Sequence, residues 1–109
     1  MTYEPWEVVV VPFPFTETED RKRRPALVLS QRSFNEGGYT VLAMITTKSE
    51  PAWPGDSVIG DLGSAGLERP CIIRWKLFTL DNQLIVRRIG QLGELDRGRA
   101  ARALGSILP

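Results

Sequence analysis

The chain contains no histidine at all. Any mechanism that needs an imidazole as acid, base or metal ligand is thereby excluded. Cysteine is almost missing too: Cys71 stands alone, so no intramolecular disulfide can form, and the usage fits a reducing compartment. With one cysteine and scattered carboxylates there is no metal-ligand spacing, and we expect neither a metal nor another cofactor. No apolar run approaches the length that spans a bilayer. The N-terminal MTYEPWE lacks the basic and apolar segments of a signal peptide. A cytoplasmic protein without membrane contact is expected. Excess charge of one sign is also absent: 14 Lys and Arg against 13 Asp and Glu leave +1, which by itself does not advertise a nucleic-acid partner.

What is present is the composition of one soluble globular domain over residues 1–109, with 42% hydrophobic and 25% charged residues. Glu7 to Phe13 is Val-rich and reads as a buried strand, ended by Pro12 and Pro14. A second strand is expected over Pro25 to Ser30, a turn at Asn35-Glu36-Gly37-Gly38, and a third strand over Tyr39 to Ile45. These three segments would place residues 26–45 in a hairpin. Thr46 to Gly55 reads as a long loop, with shorter strands at Ser57–Ile59, Cys71–Trp75 and Leu84–Ile89. Gly93 to Leu108 is the good helix candidate. Leu95, Ala100, Ala101, Leu104, Ile107 and Leu108 can share its inner face, with Arg97, Arg99 and Arg102 outside. Gly98 and Gly105 weaken that helix by about 1 kcal/mol each relative to Ala, so packing must hold it. No repeat or linker is visible. The pattern predicts a mainly β fold: a small curled, SH3-like barrel of about five to seven strands with a C-terminal helix packed on it.

Residues 10–30, VVPFPFTETEDRKRRPALVLS, carry most of the functional information. An apolar strand ends in Pro-Phe-Pro-Phe-Thr, a charged loop follows, and Arg-Arg-Pro opens the next strand. Proline after Arg24 fixes the chain direction there, which is a way to hold a guanidinium still before a phosphate. Arg21, Lys22, Arg23 and Arg24 form one compact basic run, and Arg87 and Arg88 a second, so a local patch can exist on a near-neutral protein. A second cluster is Ile45-Thr46-Thr47-Lys48-Ser49, whose hydroxyls and ammonium can bind phosphate by hydrogen bonds. If the second and third strands pair, Arg24 and Thr46 meet on one edge of the sheet. Glu17, Glu19 and Asp20 lie in the preceding loop, where one can act as a base or orient an arginine, or simply pair with Arg21 to Arg23 in solvent. Of the aromatics Trp6, Phe13, Phe15, Trp53, Trp75 and Phe78, most belong in a core. Trp53, in a Pro-rich loop, is the one expected to face a ligand or partner. Cys71, in Pro-Cys-Ile-Ile, reads as a buried small hydrophobe.

Several separated pieces, in order, resemble the MazF/PemK family of toxin endoribonucleases. VVVVPFPFT resembles the family's first strand and its exit, RRPALVLS its most diagnostic segment, and AMITTKS the end of its third strand. CIIRWKLFTLD and LGELDRGRAARALGSIL resemble a later strand and the terminal helix. The resemblance implies an SH3-like barrel that forms a homodimer, and a metal-independent endoribonuclease that cuts single-stranded RNA such as mRNA at short sequences. Attack by the ribose 2′-hydroxyl would leave a 2′,3′-cyclic phosphate. It implies a cognate antitoxin with a flexible acidic segment that competes with RNA, and operator DNA as a partner of the toxin–antitoxin complex. Carried over by motif, the catalytic residues fall on Arg24 and Thr46. The base stays open: arginine would need a depressed pKa to serve, and Glu19 in the preceding loop is the alternative. Phe15, Thr16, Arg21, Lys22, Arg23, Thr47, Lys48, Ser49 and Trp53 are then expected to bind RNA. A catalytically silent relative, which binds nucleic acid or an antitoxin-like partner without cutting, is the alternative. Two departures stand out: Trp6-Glu7 replaces the family's usual Gly-Asp or Gly-Glu, and the loop from Glu17 to Arg23 is charged and has no glycine.

Overall fold

Alternating valines organise the centre of the molecule. A computed structural model describes residues 2–12, 23–47 and 52–109. In it β1 (Glu7–Pro12) pairs antiparallel with β2 (Arg23–Val28), so that Val8 faces Leu27 and Val9 faces Ala26. Because strand side chains alternate between faces, these neighbours enter two different cores. Val8, Leu27 and Ala43 belong to one, and Val9, Ala26, Val28 and Leu42 to the other. Both faces of the central strands are therefore buried, which explains their nearly unbroken apolar runs.

The remaining strands are β3 (Tyr39–Thr47), β4 (Ser57–Val58), β5 (Cys71–Asp81) and β6 (Arg87–Gln91). Together they form one six-stranded antiparallel sheet in the order β4-β5-β3-β2-β1-β6. Register shifts at Val8/Val9 and at Ala43/Met44 bend it, as bulges do, and the sheet curls into a half-barrel. A single-turn helix, α1 (Arg32–Asn35), and a 3-10 turn at Asn82–Leu84 lie at one end. A second single turn, α2 (Leu62–Ala65), follows β4, and the long helix α3 (Glu94–Ile107) ends the fold.

The expected fold class is thus observed, with local corrections. The turn expected at residues 35–38 is preceded by α1. Strand β2 starts at Arg23 rather than Pro25, and β3 continues through Thr46 and Thr47, past the expected start of the loop. Strand β5 runs on to Asp81, and the final strand spans 87–91 rather than 84–89, because Asn82 and Asp81 fold residues 82–84 into a turn. Buried Asn35 explains why this corner is ordered. Its amide donates to the carbonyls of Tyr3 (2.8 Å) and Ser30 (3.1 Å), while the Asn82 amide donates to the Asn35 carbonyl (2.6 Å). The Thr40 hydroxyl completes the set by donating to Asn82 Oδ1 at 2.6 Å.

The inner face of α3 also differs from expectation. Leu95 is 77% exposed, and Ile107 and Leu108 are about half exposed, whereas Asp96 and Ala100 are buried. Asp96 accepts from the backbone N–H groups of Gly60 (2.9 Å) and Asp61 (2.8 Å). A buried carboxylate with two backbone donors holds the helix N-terminus against the β4–α2 connection, and Ala103 and Leu104 pack behind it. Hydrophobic periodicity alone points Leu95 inward because it has no means of scoring that polar anchor.

The sheet is closed through α2. This turn leaves one edge of the sheet, after β4, and packs against β6 at the opposite edge. Gly66 adopts φ 72°, and a Cβ there would stand 2.0 Å from the Ile89 carbonyl oxygen. At Gly90 a Cβ would stand 2.4 Å from the Ala65 carbonyl carbon. Two glycines thus let backbone meet backbone. One non-glycine residue among the described residues also has positive φ: Trp6, at 71°. Its N–H donates to the Val28 carbonyl (2.7 Å), its carbonyl accepts from Leu92 N–H (2.9 Å), and its ring packs on the core.

Gly66→Ala is expected to lower stability by about 2 kcal/mol or more, since strain and overlap add at that position. Urea unfolding checks this, and an unchanged midpoint would show that the contact can slide apart at no cost.

Candidate active site

The start of β2, the end of β3 and the start of β5 converge at one mouth of the half-barrel. Strands β2 and β3 pair antiparallel, with Ala26 opposite Met44. Continuing that register outward by two residues brings Arg24 opposite Thr46. On the far side of β3, Thr46 faces Ile72 and Thr47 faces Cys71. On the far side of β2, Arg24 faces Val11, and β1 in turn carries β6, with Val10 opposite Arg87. The ends of β2, β3 and β6 and the segment leading into β5 therefore meet at the same place.

They line a cleft of about 420 Å³, whose polar lining is Arg24, Thr46, Thr47, Glu68, Arg69 and Arg87. Its apolar floor includes Val10, Pro25, Ile45, Cys71 and Ile89. Arg24 is half-buried, and Arg69 and Arg87 are exposed. Among the described residues, three guanidinium groups and one carboxylate line this cleft, a local excess of positive charge on a protein whose net charge is only +1. Such focusing favours a polyanion at this spot. Thr46 and Thr47 bring hydroxyl-bearing residues to the same cleft, residue types that can donate to a phosphodiester.

Alternation along β6 separates the second basic pair. Arg87 enters the cleft, whereas Arg88 forms an ion pair with Glu7 on β1, whose other carboxylate oxygen accepts from Glu4 N–H at 2.6 Å. Arg69 and Glu68 are site residues that sequence reading missed. A signal was available: Arg69-Pro70 at the start of β5 repeats Arg24-Pro25 at the start of β2. Both place an arginine at a strand mouth, with a proline holding the entry.

Of the other expected site residues, Arg23 is exposed at the start of β2 and is not among the cleft lining. Phe15, Thr16, Glu19, Arg21, Lys22, Lys48 and Ser49 lie outside the described residues. Trp53 is not brought into the cleft. It is 41% exposed, with Lys76 Nζ 4.6 Å from its ring centroid, a cation–π arrangement. Its N–H donates to Asp56 (2.9 Å), and Asp56 receives two further bonds from Arg74, at 2.9 and 3.2 Å. The Cys71 thiol is pushed above its usual range by burial, which keeps it protonated and matches its reading as a small hydrophobe.

The Asp56 carboxylate is held below its ordinary range chiefly by the Arg74 hydrogen bond, with the Trp53 N–H adding to it. The unfolded chain then takes up a proton at Asp56 more readily than the folded one. The stabilisation is complete above the unfolded value, about pH 4, and is lost as pH falls through the lower folded value. Asp56→Asn is expected to cost about 1–3 kcal/mol at neutral pH in urea unfolding. That gap from the unsubstituted protein should narrow below about pH 4, and a gap independent of pH would show that charge is not what holds the Trp53 loop.

Both the sequence and the fold have matches among known proteins. The model of the PemK-like, MazF-like toxins of type II toxin-antitoxin systems matches residues 4–108. No curated protein sequence matches significantly. Among solved structures, an endoribonuclease in complex with its cognate antitoxin, from a mycobacterial species, is 15% identical with a TM-score of 0.74, covering 99% of this chain and 96% of that one. A MazE–MazF complex (form III) from Deinococcus radiodurans is 20% identical with a TM-score of 0.75, covering 98% and 96%. The Mycobacterium tuberculosis toxin MazF-mt6 is 20% identical with a TM-score of 0.72, covering 92% and 93%. At these identities the structural likenesses bear on the fold.

Proposed function

The chain belongs to the PemK-like, MazF-like toxin family of type II toxin-antitoxin systems, and we propose that it is a metal-independent endoribonuclease that cuts single-stranded RNA within the Arg24–Thr46 cleft. The observation that carries this reading is the convergence of Arg24, Thr46, Thr47, Arg69 and Arg87 on one cleft. Strand register alone puts the first two across from each other.

The chemistry follows from the residue types. The ribose 2′-hydroxyl attacks the adjacent phosphorus in line. A bond from O2′ to phosphorus forms as the bond to O5′ breaks, leaving a 2′,3′-cyclic phosphate and a 5′-hydroxyl. Negative charge gathers on the non-bridging oxygens as this happens. Arg24, gripped at a strand start by Pro25, meets that charge with two parallel N–H donors, and the Thr46 hydroxyl adds a third. Arginine stays protonated in proteins, so Arg24 acts here as an electrostatic clamp. Arg69 and Arg87 are placed to hold neighbouring phosphates, which fixes the strand across the reacting centre. Glu19, in the segment before Arg24, is the candidate for the base that takes the 2′-hydroxyl proton, and solvent returns a proton to the leaving O5′.

The same cationic cleft suits the flexible acidic segment of a cognate antitoxin. Such a segment neutralises the arginines and blocks RNA by occupying the site. One of the similar solved structures is an endoribonuclease in complex with its cognate antitoxin, which supports a partner of this kind. The family's usual assembly as a homodimer, binding of operator DNA by the toxin–antitoxin complex, and a cytoplasmic setting complete the proposal.

Purified protein incubated with single-stranded RNA in EDTA tests it. Discrete cuts ending in 2′,3′-cyclic phosphate are expected. Arg24→Ala should lower the rate by about 10²–10³-fold or more, and Thr46→Val by roughly tenfold or more. Circular dichroism must show both variants folded. RNA that is bound but never cut would instead identify a silent binding protein.

A further inference from the structure

The cleft contains one residue that a phosphate-binding surface does not explain. Glu68 lines it beside Arg24, Arg69 and Arg87. A carboxylate there repels the RNA backbone that the arginines attract, so its presence lowers affinity for any polyanion unless it makes a contact of its own. Nor does Glu68 serve to steer the arginines. None of the ion pairs or hydrogen bonds among the described residues uses it.

The backbone leading to it is fastened. The preceding turn α2 is capped by Asp61, whose carboxylate accepts from Ser64 N–H (3.1 Å) and from the Ser64 hydroxyl (2.6 Å). Leu67 N–H donates to the Leu62 carbonyl at 2.9 Å, and Gly66 is wedged against Ile89. On the other side Pro70 leads directly into β5. Glu68 and Arg69 thus occupy a short lip with both ends fastened, facing the mouth that holds Arg24 and Thr46.

We propose that Glu68 reads a base immediately flanking the cut, and that the base is guanine. This rests on the endoribonuclease reading above. A carboxylate is an acceptor only, with two oxygens side by side. Among the RNA bases, guanine alone presents two adjacent donors on its Watson–Crick edge, N1–H and N2–H, which a carboxylate meets bidentately. Adenine and cytosine offer one exocyclic amine each beside an acceptor. Uracil offers N3–H between two carbonyls, which repel a carboxylate. Glu68 is a specificity-determining residue in this account. The reacting phosphate stays with Arg24 and Thr46.

The test uses random-sequence RNA cut by the full chain and by Glu68→Gln, with the ends sequenced. In parallel, fluorescence anisotropy measures binding of 2′-fluoro RNA heptamers, which lack the attacking hydroxyl and differ only in the central base. We expect guanine to be enriched beside the cuts of the unsubstituted protein, and the guanine heptamer to bind tightest. Glu68→Gln should still cut, with its guanine preference reduced roughly tenfold in both readouts. An unchanged base spectrum in the variant, or no guanine preference in the unsubstituted protein, overturns the proposal. So does an equal loss of rate at every site, which would make Glu68 part of the chemistry instead. If no RNA is cut but the heptamers still rank with guanine first, and lose that ranking in the variant, the nuclease reading fails while the base-reading site stands.

Discussion

The backbone-to-backbone contact between the Gly66 turn and β6 is the constraint on which the site depends. A six-stranded sheet has two edges, and here the chain from one edge is laid directly on the other. Close approach of this kind is available only where no Cβ intrudes, at Gly66 against Ile89 and at Gly90 against Ala65. The contact does more than close a fold. It brings the Glu68–Arg69 lip, which continues from Gly66, over the strand ends that carry Arg24, Thr46 and Arg87. Loosening it would leave each of those residues in place on its own element while dissolving the cleft they share.

Given that closure, elementary strand geometry explains the local charge. Consecutive residues on a strand face opposite ways, so Arg87 joins the cleft and Arg88 is neutralised by Glu7. Two Arg-Pro corners, at Arg24-Pro25 and Arg69-Pro70, introduce β2 and β5 with a guanidinium at the same mouth. Among the described residues, a near-neutral protein thereby concentrates three cations in one cleft of about 420 Å³. The proposed cleavage would need such an arrangement, because developing negative charge is best met by groups already in place.

The departure at the start of β1 has a structural meaning. The resembled family usually carries glycine where this chain has Trp6, and Trp6 keeps the left-handed backbone that glycine favours, with φ 71°. A non-glycine residue there carries strain of roughly 1–2 kcal/mol. It is offset by the Trp6 ring packed on the core and by main-chain bonds to Val28 and Leu92. The left-handed backbone is thus held here although no glycine signals it in the sequence. Helix α3 makes a related point, since its orientation follows from buried Asp96 binding two N–H groups rather than from its most apolar residues.

The sequence by itself determined the strand-forming segments, the terminal helix, the chemical classes excluded by the lack of histidine, and the pairing of Arg24 with Thr46. These are properties of local alternation, proline placement and hairpin register, all of which act over a few residues. Tertiary structure decided which face α3 buries, that Trp53 stands apart from the cleft, and that Glu68 and Arg69 enter it. Each of those outcomes depends on contacts between segments about 20 to 40 residues apart, such as Asp96 with Gly60 or Gly66 with Ile89. No periodicity within one segment encodes them, because a hydrogen bond or a close backbone approach exists only once both partners have been brought together.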